Sequence, residues 1–484
     1  MPDGITVLGY AVRPRAVALY LGQLALMLAA LSFVPLAASL ALGQYAYSTR
    51  LAIVVFGLLL VALPGLRIRP PERIQVNEAL VVIALAFIAS PVLMSYPLAS
   101  GNLPFVDVLF ESVSAITTTG LSTAGSIEHR APMFLFLRSW MQWYGGLGIA
   151  VLSVALLMGH QAAARRLAEP VENENIATTA RTQSRQLLRV YVALTGLGIA
   201  LLWLTTGDAF TAVTHMLATL STGGFSTFDA SLAALPRSAA WVVTLFALLG
   251  AVPLLLLFHA AAGRPGELLR DAEVRALVAC VVLLTCLLGI SLHASTGSAW
   301  SDAFADAALL GVSAQTTTGF AALDVASLDP TSKLLLILGM LVGGASGSTA
   351  GGIKLLRLLV FLRLLQYFLR RTTLPPHAVI EPRLGGRALQ AADVERATLI
   401  LGLFAGVLGL SWLAFVAHGH DALDALFEVT SALSTVGLST GISAPDLAPL
   451  LKLLLCVDML LGRLEILALL VLLYPRTWIG RRAS

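Results

Sequence analysis

Charge is scarce in this sequence. Asp, Glu, Lys and Arg make up 12% of its 484 residues, against about a quarter in a soluble globular chain. Apolar residues make up 57%, and mean hydropathy is +0.86. That balance is the composition of a membrane protein, not of a soluble one. Cysteine is nearly absent: Cys280, Cys286 and Cys456 all sit in apolar runs without metal-ligand spacing. A disulfide framework and a thiolate metal site are thereby excluded, and the three thiols read as small buried hydrophobes. There is no His-x-x-x-His, no Gly-x-Ser-x-Gly opening a helix and no pair of intramembrane aspartates, so a polytopic membrane enzyme has nothing to work with. Glycosylation and targeting signals are missing too. The apolar run after Arg15 is too long for the core of a cleavable signal and reads as a retained helix. The excess of four positive charges and the pI near 9.1 fit basic cytoplasmic loops rather than a nucleic-acid partner.

What the chain has in abundance is long apolar runs. A spanning helix needs about 20 such residues. Two runs open the chain, at 17–43 and 51–66. After them, four times over, an apolar run is followed by a short Thr/Ser/Gly-rich insert and a second apolar run. The first members cover 78–98, 186–206, 274–293 and 395–417, and the second members 132–158, 238–260, 332–369 and 449–474. The expected architecture is an all-α polytopic protein of about ten spans. It divides into 1–75, two N-terminal helices; 76–165, repeat one; 166–265, repeat two; 266–380, repeat three; and 381–484, repeat four. Basic residues cluster in alternate loops: Arg67, Arg69 and Arg73; Arg165, Arg166, Arg181, Arg185 and Arg189; Arg264, Arg270 and Arg275; Arg370, Arg371, Arg383, Arg387 and Arg396. Others flank the ends at Arg13, Arg15, Arg476, Arg481 and Arg482. The positive-inside rule puts all of these, with both termini, in the cytoplasm. The four inserts then face outward, where Arg130 and Arg237 are the main basic residues.

The inserts align without a gap. Each carries a glycine (Gly120, Gly224, Gly319, Gly437), a threonine two residues earlier (Thr118, Thr222, Thr317, Thr435) and a hydroxyl before that (Thr117, Ser221, Thr316, Ser434). Between threonine and glycine stand Thr119, Gly223, Thr318 and Val436. Thirteen residues before each glycine stand Asp107, Thr211, Asp306 and Asp424, residue types that cap helix N-termini. A helix from there to the threonines has about 11 residues and spans roughly 16 Å, half of a ~30 Å hydrocarbon core. Each repeat therefore reads as helix, half-spanning pore helix, extended turn, helix. Irregular backbone at that depth is tolerated only when buried or lining a wet cavity. Four turns meeting on one axis can replace the hydration shell of an alkali cation with carbonyl oxygens. The threonine hydroxyls offer further ligands, and the negative ends of the pore helices favour a cation. Uncharged oxygen ligands suit a weakly hydrated monovalent ion better than Ca²⁺ or Mg²⁺.

At these residues the sequence resembles the Trk/Ktr/HKT superfamily of potassium transporters. The two additional N-terminal helices resemble its Trk branch, the TrkH-type membrane subunits, rather than the shorter Ktr subunits. The resemblance covers essentially the whole chain. It implies K⁺ uptake through a filter formed by Thr118, Thr119, Gly120, Thr222, Gly223, Gly224, Thr317, Thr318, Gly319, Thr435, Val436 and Gly437. It also implies a homodimer in a bacterial inner membrane and a cytosolic, TrkA-like nucleotide-binding regulatory subunit; the chain has no nucleotide site and no cofactor of its own. Glycine in all four turns favours potassium, since sodium-selective relatives replace the first. Repeat three departs from the pattern with Ala321-Ala322 where the others have Ser-Thr. With Gly223 and Val436, this makes the filter asymmetric.

Two further features belong to the resemblance. The stretch from Gly343 to Lys354 holds Gly343, Gly344, Gly347, Gly351 and Gly352 with Ser346 and Ser348. Each glycine costs about 1 kcal/mol in a helix interior, which predicts a break between 332–341 and 353–369. The family implies a gate there; the spacing of Gly343, Gly347 and Gly351 also fits close helix packing. Arg463 lies deep in the last apolar run, where charge marks function. The family implies a pore-facing barrier or an anchor for the gate, and pairing with Glu465 or Asp458 is the structural alternative. Glu111 and Glu428 share one position in two pore helices, either bracing the outer vestibule or bonding neighbouring turns. His215 reads as packing rather than as a proton site. An ion-coupled symporter (H⁺ or Na⁺) of the same family is the alternative function. An unrelated secondary transporter would show repeats of opposite orientation, whereas here all four point the same way.

Overall fold

A computed structural model of the chain describes residues 11–66, 68, 75–168, 176–373, 375, 382–385 and 387–479. Of the arginines used for orientation, Arg67, Arg69, Arg73, Arg481 and Arg482 lie outside the described residues, as do the side chains of Arg165, Arg166, Arg181 and Arg387. The described backbone is helical apart from turns and one antiparallel ladder of two-residue strands, Arg383–Leu384 with Arg387–Ala388. Two apolar helices open the chain, α1 (Pro14–Ala41) and α2 (Tyr45–Leu66). Repeat one is α3 (Val76–Leu98), the short α4 (Phe105–Ile116) and α5 (Pro132–Ala168). Repeat two is α6 (Ile176–Thr206), the short α7 (Ala209–Leu220), α8 (Arg237–Ala251) and α9 (Leu254–Ala261), followed by α10 (Pro265–Arg270). Repeat three is α11 (Ala272–Thr296), α12 (Trp300–Gln315), α13 (Pro330–Val342) and α14 (Leu355–Arg371). Repeat four is α15 (Ala391–Ala417), the short α16 (Ala422–Leu433), α17 (Pro449–Arg463) and α18 (Leu467–Leu473); α19 (Pro475–Trp478) follows. The chain is thus a polytopic, helical protein of four helix–pore-loop–helix repeats preceded by two helices.

Among the described residues, six helices are long and apolar enough to cross a membrane alone, and a seventh span is possible if the bent pair α8–α9 is counted as one. The second helices of repeats two and four were expected to run unbroken over 238–260 and 449–474. Both are interrupted. α8 and α9 meet at 103° across Val252-Pro253, because proline removes a backbone donor and clashes with the preceding turn. α17 and α18 are separated by Leu464–Ile466, where Glu465 and the β-branched Ile466 have φ of 54° and 62°. The break expected in repeat three is present and lies between Val342 and Leu355.

Packing divides the chain into two units, Met1–Asn102 with Leu464–Ser484, and Leu103–Arg463. In the first, α1 and α2 cross so closely that a Cβ on Gly22 would stand 2.9 Å from the Gly65 Cα. Val12, Val17, Val81 and Val82 form its buried cluster, with Val471 and Leu472 packed on it. Arg13 clasps Glu78 from Nε and Nη2 at 2.8 and 3.0 Å, a bidentate geometry that only a guanidinium offers.

The second unit holds all four pore helices, and here one expectation is corrected. Asp107, Thr211, Asp306 and Asp424 are not N-caps. α7 and α16 are capped by Asp208 and Asp421, whose carboxylates accept from Phe210 and Thr211, and from Leu423 and Asp424. Hydrogen bonds from Thr211 hold the Asp208 carboxyl below its usual range. The predicted column lies inside the helices, and its carboxylates tie neighbouring repeats together. Asp306 pairs with Arg237 at 2.9 Å, Asp424 with Lys333 at 2.7 Å and Asp107 with Lys452 at 2.5 Å. Every pair joins a pore helix to the preceding repeat's second helix, in the cyclic order two–three, three–four, four–one. At the remaining junction the column residue is Thr211, which carries no charge. There Asp229 instead accepts from Ser126 Oγ and the Ile127 N–H at 2.7 and 2.5 Å.

These pairs differ in worth because they differ in burial. Asp107 and Lys452 are 4% and 3% exposed. Lys452→Met strands a buried carboxylate and is expected to cost about 3–5 kcal/mol, whereas the double change Asp107→Asn/Lys452→Met should recover most of that loss. Arg237→Met, in an exposed pair, should cost under about 1 kcal/mol. Thermal unfolding of the detergent-solubilised protein measures both. Equal costs for the two single variants would refute the burial argument.

Candidate functional site: four turns and the loop beside them

The short helices end at Ile116, Leu220, Gln315 and Leu433, and each chain then enters a turn of one design. Thr118, Thr222, Thr317 and Thr435 have φ of 55°, 54°, 55° and 52°, and Gly120, Gly224, Gly319 and Gly437 have φ of 93°, 74°, 79° and 101°. The residue between them has negative φ. Left-handed backbone is costly for threonine, and it recurs at the same place in all four repeats because buried surroundings hold it there.

The turns close into a ring. A Cβ built on Gly120 would strike the carbonyl oxygen of Gly223; on Gly224, that of Thr318; on Gly319, that of Val436; and on Gly437, that of Thr119. Thus the carbonyl preceding each repeat's glycine is packed against the glycine of the repeat before it, in the cyclic order followed by the ion pairs. No side chain fits at any of the four positions. No carboxylate belongs to these turns, so the ring presents neutral oxygen. Two of the threonine hydroxyls, Thr118 Oγ1 and Thr435 Oγ1, are buried without a hydrogen-bond partner among the described residues. Thr117 and Thr119 share a hydroxyl–hydroxyl bond of 2.8 Å, and Thr316 and Thr318 one of 2.7 Å.

The segment between α13 and α14 lies on the threonine side of this ring. Its neck is closed by Ile353 N–H to Leu341 O, Lys354 N–H to Val342 O and Leu355 N–H to Gly344 O at 3.0, 3.1 and 3.0 Å. Gly343 and Gly352 cross there with no room for a Cβ, so the glycines serve a loop neck and not a continuous helix. The body of the loop bonds to three repeats. The Ala345 and Thr349 N–H groups donate to Ala251 and Gly250 at 3.1 Å each, satisfying carbonyls that α8 leaves open where Pro253 ends it. The Gly351 N–H donates to Thr317 Oγ1 at 2.8 Å, and the Gly352 N–H to Ser434 O at 3.0 Å. Ser346 N–H donates to the Glu273 carboxylate of α11 at 2.6 Å. From α17, Arg463 Nη1 donates to Thr349 O at 2.8 Å and Nη2 to Gly145 O at 3.4 Å. Its charge is spent on loop and helix carbonyls, while Asp458 accepts from Ser411 at 2.8 Å.

The family described as TrkH, cation transport protein, matches residues 51–477. The chain belongs to the TrkH family. Its business is therefore ion transport across a membrane and not enzymatic catalysis. It is similar to the Trk system potassium uptake protein TrkH of Vibrio parahaemolyticus, 33% identical over 404 residues, which covers 78% of this chain and 83% of that protein. It is similar also to the TrkH of Escherichia coli K12, 32% identical over 391 residues and covering 78% and 80%. The crystal structure of the potassium transporter TrkH from Vibrio parahaemolyticus matches its fold with a TM-score of 0.84 at 29% identity, over 96% of this chain and 99% of that one.

In this TrkH-family chain the structure also joins residues that sequence reading kept apart. Nine positions before the turn glycines stand Glu111, His215, Leu310 and Glu428, and the three polar members of this column share one task. Glu111 accepts from Ser122 Oγ and the Thr123 N–H at 2.6 and 2.9 Å. Glu428 accepts from Ser439 Oγ and the Thr440 N–H at 2.8 and 3.1 Å. His215 Nε2 bonds Ser226 Oγ at 3.0 Å, with Nδ1 on Thr211 O at 3.0 Å. Each holds the strand that leaves its own turn. In repeat three the column is Leu310, and the strand is Ala321-Ala322. With no polar group behind it, that strand has no hydroxyl to satisfy; Ser231 and Leu232 of repeat two bond the Ala321 backbone instead, at 3.1 and 3.0 Å. The departure at Ala321-Ala322 and the leucine at 310 are one coordinated change, legible only once the column is aligned. Gln142, Arg138 and Glu273 carry no repeat signal in the sequence and only the fold brings them to the site.

Proposed function

We propose that this chain takes up potassium across the bacterial inner membrane, and that the ring of four turns is its selectivity filter. The closed ring carries the reading: four backbone turns of one geometry, with carbonyl oxygens turned toward neighbouring glycines and no fixed charge among them. Neutral oxygen cages suit a weakly hydrated monovalent cation, because dehydration is repaid by several dipoles without trapping the ion. The unpartnered hydroxyls of Thr118 and Thr435 are the further ligands such an ion needs on the threonine side. The names of the relatives, potassium uptake proteins, support the choice of ion.

In this reading the loop from Gly343 to Lys354, including Gly344, Ser346, Gly347, Ser348, Gly351 and Gly352, is the gate. Arg463 anchors it by holding the Thr349 carbonyl, and adds a positive charge on the ion's path. Opening is assigned to a cytosolic, TrkA-like nucleotide-binding subunit acting on a homodimer, with both termini in the cytoplasm. The chain itself needs no cofactor.

Proteoliposomes holding the purified chain, given K⁺, Rb⁺ and Na⁺ gradients, test this directly. Potassium and rubidium flux well above sodium flux is the expected result. Absence of any cation flux, even with the regulatory subunit added, would refute the pore. Flux that requires an opposing or accompanying H⁺ or Na⁺ gradient would replace passive conduction with ion-coupled symport through the same site.

A further inference from the structure

One filter turn is built differently from the other three. Where repeats one, three and four carry Thr119, Thr318 and Val436, repeat two carries Gly223, and the space its side chain would fill is occupied by Gln142 from α5 of repeat one. A Cβ on Gly223 would stand 2.5 Å from the Gln142 Cδ and 2.7 Å from both its Nε2 and its Oε1. The amide is fully buried and bonds at both ends. Its Nε2 donates to the Gly223 carbonyl, and its Oε1 accepts from the Phe225 N–H at 3.2 Å. The carbonyl it engages is a member of the ring, the one packed against Gly120. One helical turn before Gln142, the guanidinium of Arg138 lies 3.7 Å from the Phe225 ring centroid and pairs with Glu111 at 2.9 Å, so α5 braces the second turn on both sides of its glycine.

We propose that Gln142 is a specificity-determining residue of the filter, acting through the carbonyl of Gly223. An amide donor on a carbonyl oxygen fixes that oxygen's direction and takes up one of its two lone pairs, leaving one for an ion. The second turn thereby contributes a stiffer oxygen, with less free acceptor capacity, than its three counterparts, on which no donor from a neighbouring repeat is found at this atom among the described residues. Gln142 and Gly223 form a matched pair: the glycine makes room for the amide, and the amide replaces the packing that a turn's own side chain supplies elsewhere. The inference rests on the reading of the ring as a potassium filter.

The test compares K⁺ and Na⁺ flux in proteoliposomes for the full chain, for Gln142→Met, for Gly223→Thr, and for the double variant Gln142→Ala/Gly223→Thr. Methionine keeps the volume and removes the donor; the K⁺-to-Na⁺ flux ratio is expected to fall about three- to tenfold, the range of one lost hydrogen bond. Gly223→Thr alone drives a side chain into Gln142 and should abolish selective flux. The double variant rebuilds the design of repeats one and three and should recover selectivity over Gly223→Thr. A wild-type ratio in Gln142→Met, or a double variant no better than Gly223→Thr, overturns the proposal. If Gln142→Met does not assemble, as judged by size-exclusion chromatography, the double variant decides alone. Failure of the unmodified chain to conduct any cation instead overturns the filter reading itself.

Discussion

Gly319→Ser is expected to abolish potassium-selective flux while leaving the protein folded. Two costs coincide at this position. The backbone has φ of 79°, a region in which an L-residue loses about 1–2 kcal/mol. The new Cβ would also overlap the Val436 carbonyl oxygen and stand 3.0 Å from the Gly437 Cα. Relief requires the fourth turn to move, and that carbonyl is one of the ring's oxygens. Gly120→Ser meets the Gly223 carbonyl in the same way and should act alike. A control separates the two costs. Gly207 has φ of 73° with nothing within 4 Å of its would-be Cβ; Gly207→Ser should lose about 1 kcal/mol of stability and keep wild-type selectivity. Flux measurements beside thermal unfolding give the answer. Selective flux surviving in Gly319→Ser would remove this turn from the ion path.

Arg463→Met is expected to raise cation flux measured without any regulatory subunit by about ten- to a hundredfold. A hydrogen bond from a charged donor contributes about 1.5–3 kcal/mol, and each 1.4 kcal/mol is tenfold in an equilibrium. The arginine holds the Thr349 carbonyl at 2.8 Å, so in the proposed gate its loss shifts the loop toward the withdrawn state. Removing a positive charge from the proposed ion path acts in the same direction, and Arg463→Lys tells the two effects apart. Lysine keeps the charge but lacks the planar fork that reaches Thr349 and Gly145 together. High flux in the lysine variant makes Arg463 an anchor; low flux makes it an electrostatic barrier. A fall in flux for Arg463→Met would contradict both roles. In the proposed mechanism the same geometry ties gating to the filter, because the loop donates to Thr317 Oγ1. Withdrawal frees that hydroxyl to join the unpartnered ones of Thr118 and Thr435.

Repeat number, the short pore helices and the four glycine turns were legible in the sequence because each is local. An apolar run long enough to span, a stretch too short to span and a glycine where the backbone turns left-handed leave marks within about a dozen residues. The loop at 343–354 was legible for the same reason, since five glycines in ten residues cannot sustain a helix. The aspartate column is visible in the sequence, but its composition suggests a cap, and only the fold brings Arg237, Lys333 and Lys452 within reach of it. Position along the chain says little about what a carboxylate faces when its partner lies 345 residues away, as Lys452 does from Asp107.

What the sequence determined by itself is therefore the class of protein, its fourfold repetition and the residues of the turns, all consequences of hydropathy and backbone stereochemistry. What only the tertiary structure decided is how the four copies come to differ. Gln142 fills the space of a missing side chain on Gly223, His215 stands in for a glutamate, Leu310 accompanies two alanines, and Arg463 spends its charge on a loop carbonyl. Each of these depends on which atoms meet across repeats. Buried polar groups must find partners wherever the fold supplies them, and no local pattern in the chain records where that is.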